Sequence, residues 1–314
     1  MAKTAFLFPG QGAQYVGMGR ELATQYPSVA RHFEAANEAL GFDLTSLCFD
    51  GPEEELKKTA NQQPAILTVS VAFLSLLKEN GITPDVVAGL SLGEYSALVA
   101  AGVLSFEDAV PLVQKRGTYM QEAVPLGVGG MAAILGLNAA DVDAVCAEAA
   151  AATGETVEGA NYNCPGQIVL SGTWTAVDKA MELAAARGAK TVKLSVTAPF
   201  HSRLLTRAGE MLATALEGVT LRDPQVPVIA NVTADYVTTG ADIRQLLIRQ
   251  VSSPVRWEES VRQMIADGVE QFVEVGPGRA LSGFLKKIDR KLPVMNVEDS
   301  QTLGKLLDSY GRVC

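Results

Sequence analysis

At 314 residues the chain is long enough to bury one large core and carry a smaller one beside it. With 48% hydrophobic and 19% charged residues it is not a generally disordered chain. Its net charge of −9 argues against nucleic-acid binding, which calls for clustered Lys and Arg.

Ala5 to Phe8 reads as the first strand, stopped by Pro9-Gly10. The apolar run before that stop is too short for a signal-peptide core, so the protein is expected in the cytoplasm. Helical patterns over about 17–25 and 28–40 follow, then a short helix start at Pro52 to Leu56 with its acidic residues at the positive end. Gln63 to Asn80 reads as a long apolar helix with Pro64 near its first turn and Gly81 at its end. Its greasiest part, 65–77, spans 13 residues and holds three hydroxyls, which suits a buried core helix rather than a membrane span. Asp85 to Gly89 is a strand that runs into the corner Gly89-Leu90-Ser91-Leu92-Gly93, and Glu94 to Ala101 is a helix. A second long helix, about Phe106 to Ala123, carries Arg116 in its later turns.

The stretch VPLGVGG, 124–130, marks a break. Beyond it come a strand (131–135), a helix (139–152), strands at 157–160 and 168–171, a helix (175–187) and a strand (191–196). That βαββαβ order is the ferredoxin-like arrangement, and it sets 126–197 apart as a small inserted subdomain. The large domain is then 1–125 together with 198–314. In its second part a helix is expected from His201 to about Leu216, a strand over 226–232, helices over 242–251 and 257–266, and a strand over 270–275 that ends at Gly276-Pro277-Gly278. A helix, a short strand (293–297) and a last helix close the chain. The alternation predicts an α/β fold with a mostly parallel sheet, whose ligands sit at the carboxyl ends of its strands. Cys48, Cys146, Cys164 and Cys314 form no CxxC pair and no Cys/His cluster, so they read as free thiols and no metal site is expected.

Gly89-x-Ser91-x-Gly93 between a strand and a helix matches a nucleophile elbow, where small neighbours let a serine occupy strained backbone. The amides at the start of the following helix favour negative charge. A serine hydroxyl needs a base. Of the two histidines, His32 lies in mid-helix and reads as structural, whereas His201 lies at a strand-to-helix junction after Pro199. Its third partner is open: an Asp, a Glu or a backbone carbonyl would each accept from Nδ1. The glycines of PGQG at the end of the first strand free backbone amides for an oxyanion hole with the amide of Leu92. Arg116 sits among Val113, Tyr119 and Met120. It is either a surface ion pair or a buried guanidinium that needs an anion from the protein or from a substrate.

Taken together, LFPGQGAQ (7–14), QPA (63–65), GLSLGEYSAL (89–98), QKRGTYMQEA (114–123), PFHS (199–202) and EVGPG (274–278) resemble malonyl-CoA:acyl carrier protein transacylase over nearly the whole chain. The resemblance implies a hydrolase-like large domain with a ferredoxin-like small one. It implies Ser91 as the acylated nucleophile, His201 as its base and then acid, and the backbone carbonyl of Gln250 as the group orienting His201. Gln11 and Leu92 would donate amides to the oxyanion, and Arg116 would clamp the malonyl carboxylate. Gln63 would line the same pocket, with Met120 and Asn161 beside it, and Phe200 before His201 is similar to malonyl-selective members. The usual histidine of the elbow is replaced by Leu90, which puts any polar role of that side chain in doubt and leaves the Ser91–His201 pair intact.

No cofactor is implied beyond the two substrates, malonyl-CoA and phosphopantetheinylated acyl carrier protein, and the protein is expected to be a monomer without nucleic-acid or membrane partners. Carrier proteins are typically acidic, so docking calls for a local basic face: Lys286, Lys287, Arg290 and Lys291, or Arg187 and Lys190. Three other readings share parts of this pattern: a serine esterase or thioesterase with water as acceptor, a non-catalytic binding protein, and an acyltransferase serving a polyketide pathway.

Overall fold

A computed structural model describes residues 2–311; Cys314 lies outside them. The strands are β1 (Thr4–Phe8), β2 (Val86–Gly89), β3 (Gly129–Leu135), β4 (Val157–Cys164), β5 (Gln167–Thr173), β6 (Lys190–Lys193), β7 (Val228–Ile229), β8 (Tyr236–Val237), β9 (Gln271–Val275) and β10 (Val294–Val297). They form a six-stranded sheet in the order β10-β9-β1-β2-β7-β8 and a four-stranded sheet in the order β4-β5-β3-β6. The first is parallel except for the β7–β8 pair at its edge. The second is antiparallel.

Helices cover both faces of the large sheet, and the strands show it. Every residue of β1 is buried. Phe6 and Phe8 join one apolar cluster, while Ala5 and Leu7 join another on the opposite face. A parallel sheet buried on both sides therefore reads as a continuous apolar run. The helix Thr59–Glu79 is long and apolar enough to cross a membrane, yet it packs within the core, with Ile66, Leu67, Val69 and Phe73 buried. The small sheet turns Ala132, Ile134, Ile168 and Leu170 toward the helices Ala139–Thr153 and Trp174–Ala186. Its other face sends Met131, Ala160 and Val169 into the large core.

Strand β4 also fastens the small sheet to the segment after Gln250. Tyr162 donates its amide to Val255 O at 2.9 Å, and Val255 donates to Ala160 O at 2.8 Å. Glu158, on the same strand, accepts from Nε and Nη2 of Arg203.

Several boundaries differ from the sequence reading. The long apolar helix begins at Thr59, so Pro64 falls inside its second turn and forgoes one intrahelical bond. The helix Leu44–Asp50 was not expected; the Asp43 side chain caps it by accepting from Ser46 N. The strand expected over 226–232 is paired only at Val228–Ile229, and the one over 191–196 is Lys190–Lys193. His201 does not begin a helix. Its φ is 57°, and regular α-helix starts at Thr206 after a 3₁₀ turn at Arg203–Leu205.

Candidate active site

Loops from three neighbouring parallel strands meet at their carboxyl ends. The elbow follows β2, the PGQG loop follows β1 and Asn231 follows β7. At the corner Ser91 holds φ at 53°, in the left-handed region. The flanking glycines are there because backbone comes close. A Cβ on Gly93 would lie 2.0 Å from Phe8 O, and one on Gly89 would lie 1.9 Å from Gly93 O. Asn231 ties the turn: its Oδ1 accepts from Ser91 N at 2.6 Å, and its Nδ2 donates to Gly89 O at 2.7 Å. Leu90 is half-buried under the PGQG loop, and its amide donates to Phe8 O at 3.1 Å.

Ser91 and His201 are both buried, and Ser91 Oγ stands 2.7 Å from His201 Nε2. His201 Nδ1 lies 2.9 Å from Gln250 O. A carbonyl only accepts, so Nδ1 carries the proton and Nε2 is left to accept from the serine. Burial first, and then the charge of Arg116, push the imidazole down to about 4 against the pull of the Gln250 carbonyl. At neutral pH the ring is therefore an uncharged base.

Arg116 is fully buried. Its Nη1 donates to Gln63 Oε1 at 2.8 Å, and its Nη2 donates to Ser91 Oγ at 3.1 Å and to Gln250 Oε1 at 2.9 Å. Its guanidinium lies over the Tyr95 ring, 5.3 Å from the centroid. All these partners are neutral, and no carboxylate pairs with it among the described residues. This excludes the surface ion pair. Burial pulls the guanidinium below its usual range, with Tyr95 and Glu94 opposing.

Gln63 Nε2 also donates to Gln11 Oε1 at 3.2 Å and approaches Met120 Sδ at 3.8 Å. Gln11 and Leu92 both border the corner, and their backbone amides find no hydrogen-bond acceptor among the described residues. Phe200 is buried in the core immediately before the base. Asn161 lies on β4, bridged to Val255, and its side chain makes no hydrogen bond to Ser91, His201 or Arg116. His32 is far from this chemistry; its Nδ1 faces Ser28 O at 2.8 Å and its ring packs edge-on to Phe106.

Three features were missed in the sequence. Asn231 holds the elbow. The Gln250 side chain bridges Arg116, Ser91 O and Glu94. Glu94 is buried and accepts from Asn231 N at 3.0 Å and from Gln250 Nε2 at 2.7 Å. Glu94 was detectable, as a lone charge in an apolar helix. Asn231 left only a polar residue at a strand end.

A serine on a strained strand-to-helix corner, a neutral histidine on its hydroxyl and two unused amides beside it are the groups that acyl transfer through a serine ester calls for. The chain belongs to the acyl transferase domain family, which its residues 5–308 match. It is 53% identical over 304 residues to the malonyl CoA-acyl carrier protein transacylase of Bacillus subtilis, covering 96% of each chain. It superposes on an acyl carrier protein S-malonyltransferase from Vibrio cholerae with a TM-score of 0.95 at 45% identity, covering 97% of this chain and all of that one. A malonyl-transacylase in complex with its type II polyketide acyl carrier protein is similar too, with a TM-score of 0.95 and 44% identity over 98% of this chain and 100% of that one.

Proposed function

We infer that the protein transfers a malonyl group from malonyl-CoA to the phosphopantetheine thiol of acyl carrier protein. Ser91 Oγ attacks the thioester carbonyl while His201 Nε2 takes its proton. The amides of Gln11 and Leu92 receive the oxyanion. The carbon–sulfur bond breaks, His201 returns the proton to the CoA sulfur, and a malonyl-serine ester remains. The carrier thiol then attacks that ester, its proton passes to His201, and Ser91 leaves and regains it. This is ping-pong covalent catalysis. General base, oxyanion donors and carboxylate clamp are all groups of the chain, so the reaction needs no cofactor beyond its two substrates.

The observation that carries the malonyl assignment is Arg116. A fully buried guanidinium without a carboxylate partner stands 3.1 Å from the nucleophile. The malonyl carboxylate lies one methylene beyond the ester carbonyl, within reach of that group, and offers it bidentate pairing. A hydrolase of uncharged esters has no use for such a cation. Arg116→Ala is expected to lower the preference for malonyl-CoA over acetyl-CoA by on the order of 10²-fold, read as the ratio of kcat/KM values. A preference unchanged by that substitution contradicts the assignment.

Acyl carrier protein is the acceptor. For its docking we favour Lys286, Lys287, Arg290 and Lys291, all exposed on and after the helix Ala280–Ile288. Arg187 in the other basic cluster, beside Lys190, is already paired with Glu148 at 2.7 Å. The protein acts as a cytoplasmic monomer in this reading and supplies the extender unit for fatty acid synthesis. A carrier protein of a polyketide pathway would be served by the same chemistry, and the likeness to a type II polyketide transacylase favours testing both carriers.

A further inference from the structure

One turn past the nucleophile lies a second buried charge that the mechanism above does not use. Glu94 is 3% exposed. Its Oε2 takes both hydrogen bonds, from Asn231 N and from Gln250 Nε2. No cation pairs with it directly among the described residues. It is joined to Arg116 through a single neutral amide: Arg116 Nη2 donates to Gln250 Oε1 at 2.9 Å, and Gln250 Nε2 donates to Glu94 Oε2 at 2.7 Å. The charged or titratable groups that face Glu94 are Arg116, from the helix Phe106–Glu122, and Tyr95, on its own helix. Asn231 and Gln250 present only neutral amides.

Before substrate arrives, Glu94 in its ionised form therefore balances Arg116 across the Gln250 amide. A malonyl group brings a second carboxylate to the same cation. Two carboxylates around one guanidinium in a dry pocket do not both stay ionised at little cost. We propose that Glu94 is a specificity-determining residue that yields its charge to the substrate: when the malonyl carboxylate engages Arg116, Glu94 takes up a proton. Glu94 thereby sets how strongly Arg116 attracts a carboxylate and makes that attraction weaken as pH rises. The inference rests on the malonyl reading given above. It is supported by the position of the group, since burial raises Glu94 to about 7 even with Asn231, Gln250 and Arg116 opposing.

The chemistry itself leaves proton uptake readable. In acylation the Ser91 hydroxyl proton ends on the CoA sulfur, so below the thiol range the reaction neither takes up nor releases a proton. The test is to mix malonyl-CoA with stoichiometric protein in weak buffer, follow a pH-indicator dye, and count the adduct by intact mass in the same samples. The expected uptake is small at pH 6 and grows to most of a proton per malonyl group loaded by pH 7.5, because the unloaded group titrates at about 7. Glu94→Gln is expected to load without uptake. Should that variant fail to fold, the wild-type profile decides. Uptake that rises from pH 6 to 7.5 supports Glu94, whereas uptake that shrinks over that range belongs to His201 and overturns the proposal. An adduct formed with no uptake at any pH overturns it as well. Absence of any adduct removes the malonyl reading itself, and this inference with it.

Discussion

Ser91, His201 and Ala234 are the only non-glycine residues with positive φ among those described, at 53°, 57° and 55°. Two of the three are the hydrogen-bonded Ser91 and His201, so backbone strain is concentrated where these side chains are aimed at each other. Aiming also fixes the protonation of the base. A histidine held at about 4 by burial and by Arg116 stays neutral through the whole range in which a solvated one would charge. On the acid side, kcat/KM for malonyl-CoA should therefore show no loss between pH 7 and about 5 and fall only as the pH approaches about 4. A fall centred near 6.5 would mean that the ring is not shielded as described. The stability linkage has the same sign. The unfolded chain binds the proton first, so this group's contribution is present above about 6.5 and is lost as pH falls through about 4. Ser91 and His201 were legible because each stands at the end of a strand in a setting that suits chemistry, whereas the residues alone left Arg116 open between a surface ion pair and a buried guanidinium, and its role came from the resemblance. Asn231 and the side chain of Gln250 were not, because their work is hydrogen bonding across the fold, and one amide in a sequence resembles another.

The elbow works as an element because β1, β2 and the helix Gly93–Ala100 approach closely enough to exclude a methyl group. Gly93→Ala would drive a Cβ to 2.0 Å from Phe8 O and 2.9 Å from Pro9 O, both backbone atoms that cannot swing away. The expected cost is roughly 3–5 kcal/mol, seen as a Tm lower by several degrees or as loss of soluble protein. Gly283, in the middle of the helix Ala280–Ile288, has nothing within 4 Å of the added carbon. Gly283→Ala should instead raise stability by about 0.5–1 kcal/mol through helix propensity. A Gly93→Ala protein as stable as the wild type would mean that the corner is looser than drawn. Element order was legible in the sequence, and edges were less so. The Asp43 cap, the two-residue β7 and the left-handed turn at His201 are each set by a single side chain or by tertiary pairing, which apolar periodicity does not record.

In the whole molecule, the four-stranded sheet meets the rest of the chain next to Ser91 and His201. Strand β4 pairs with Val255, five residues after the carbonyl that orients His201, and Glu158 holds Arg203, two residues after His201 itself. A chain of net charge −9 must still receive an acidic carrier, which makes its exposed cations worth testing. Lys286→Glu together with Lys287→Glu is expected to raise KM for carrier protein about tenfold and leave loading from malonyl-CoA unchanged. An equal effect on both half-reactions, or none, takes that face out of the docking surface. The most direct measurement is the intact mass of the protein after brief mixing with malonyl-CoA, for the wild type and for Ser91→Ala, before and after adding phosphopantetheinylated carrier protein. A malonyl adduct on the wild type alone, discharged onto the carrier, is the expected result. Steady release of free malonate with no adduct, or an adduct that survives Ser91→Ala, would contradict a serine-borne transfer.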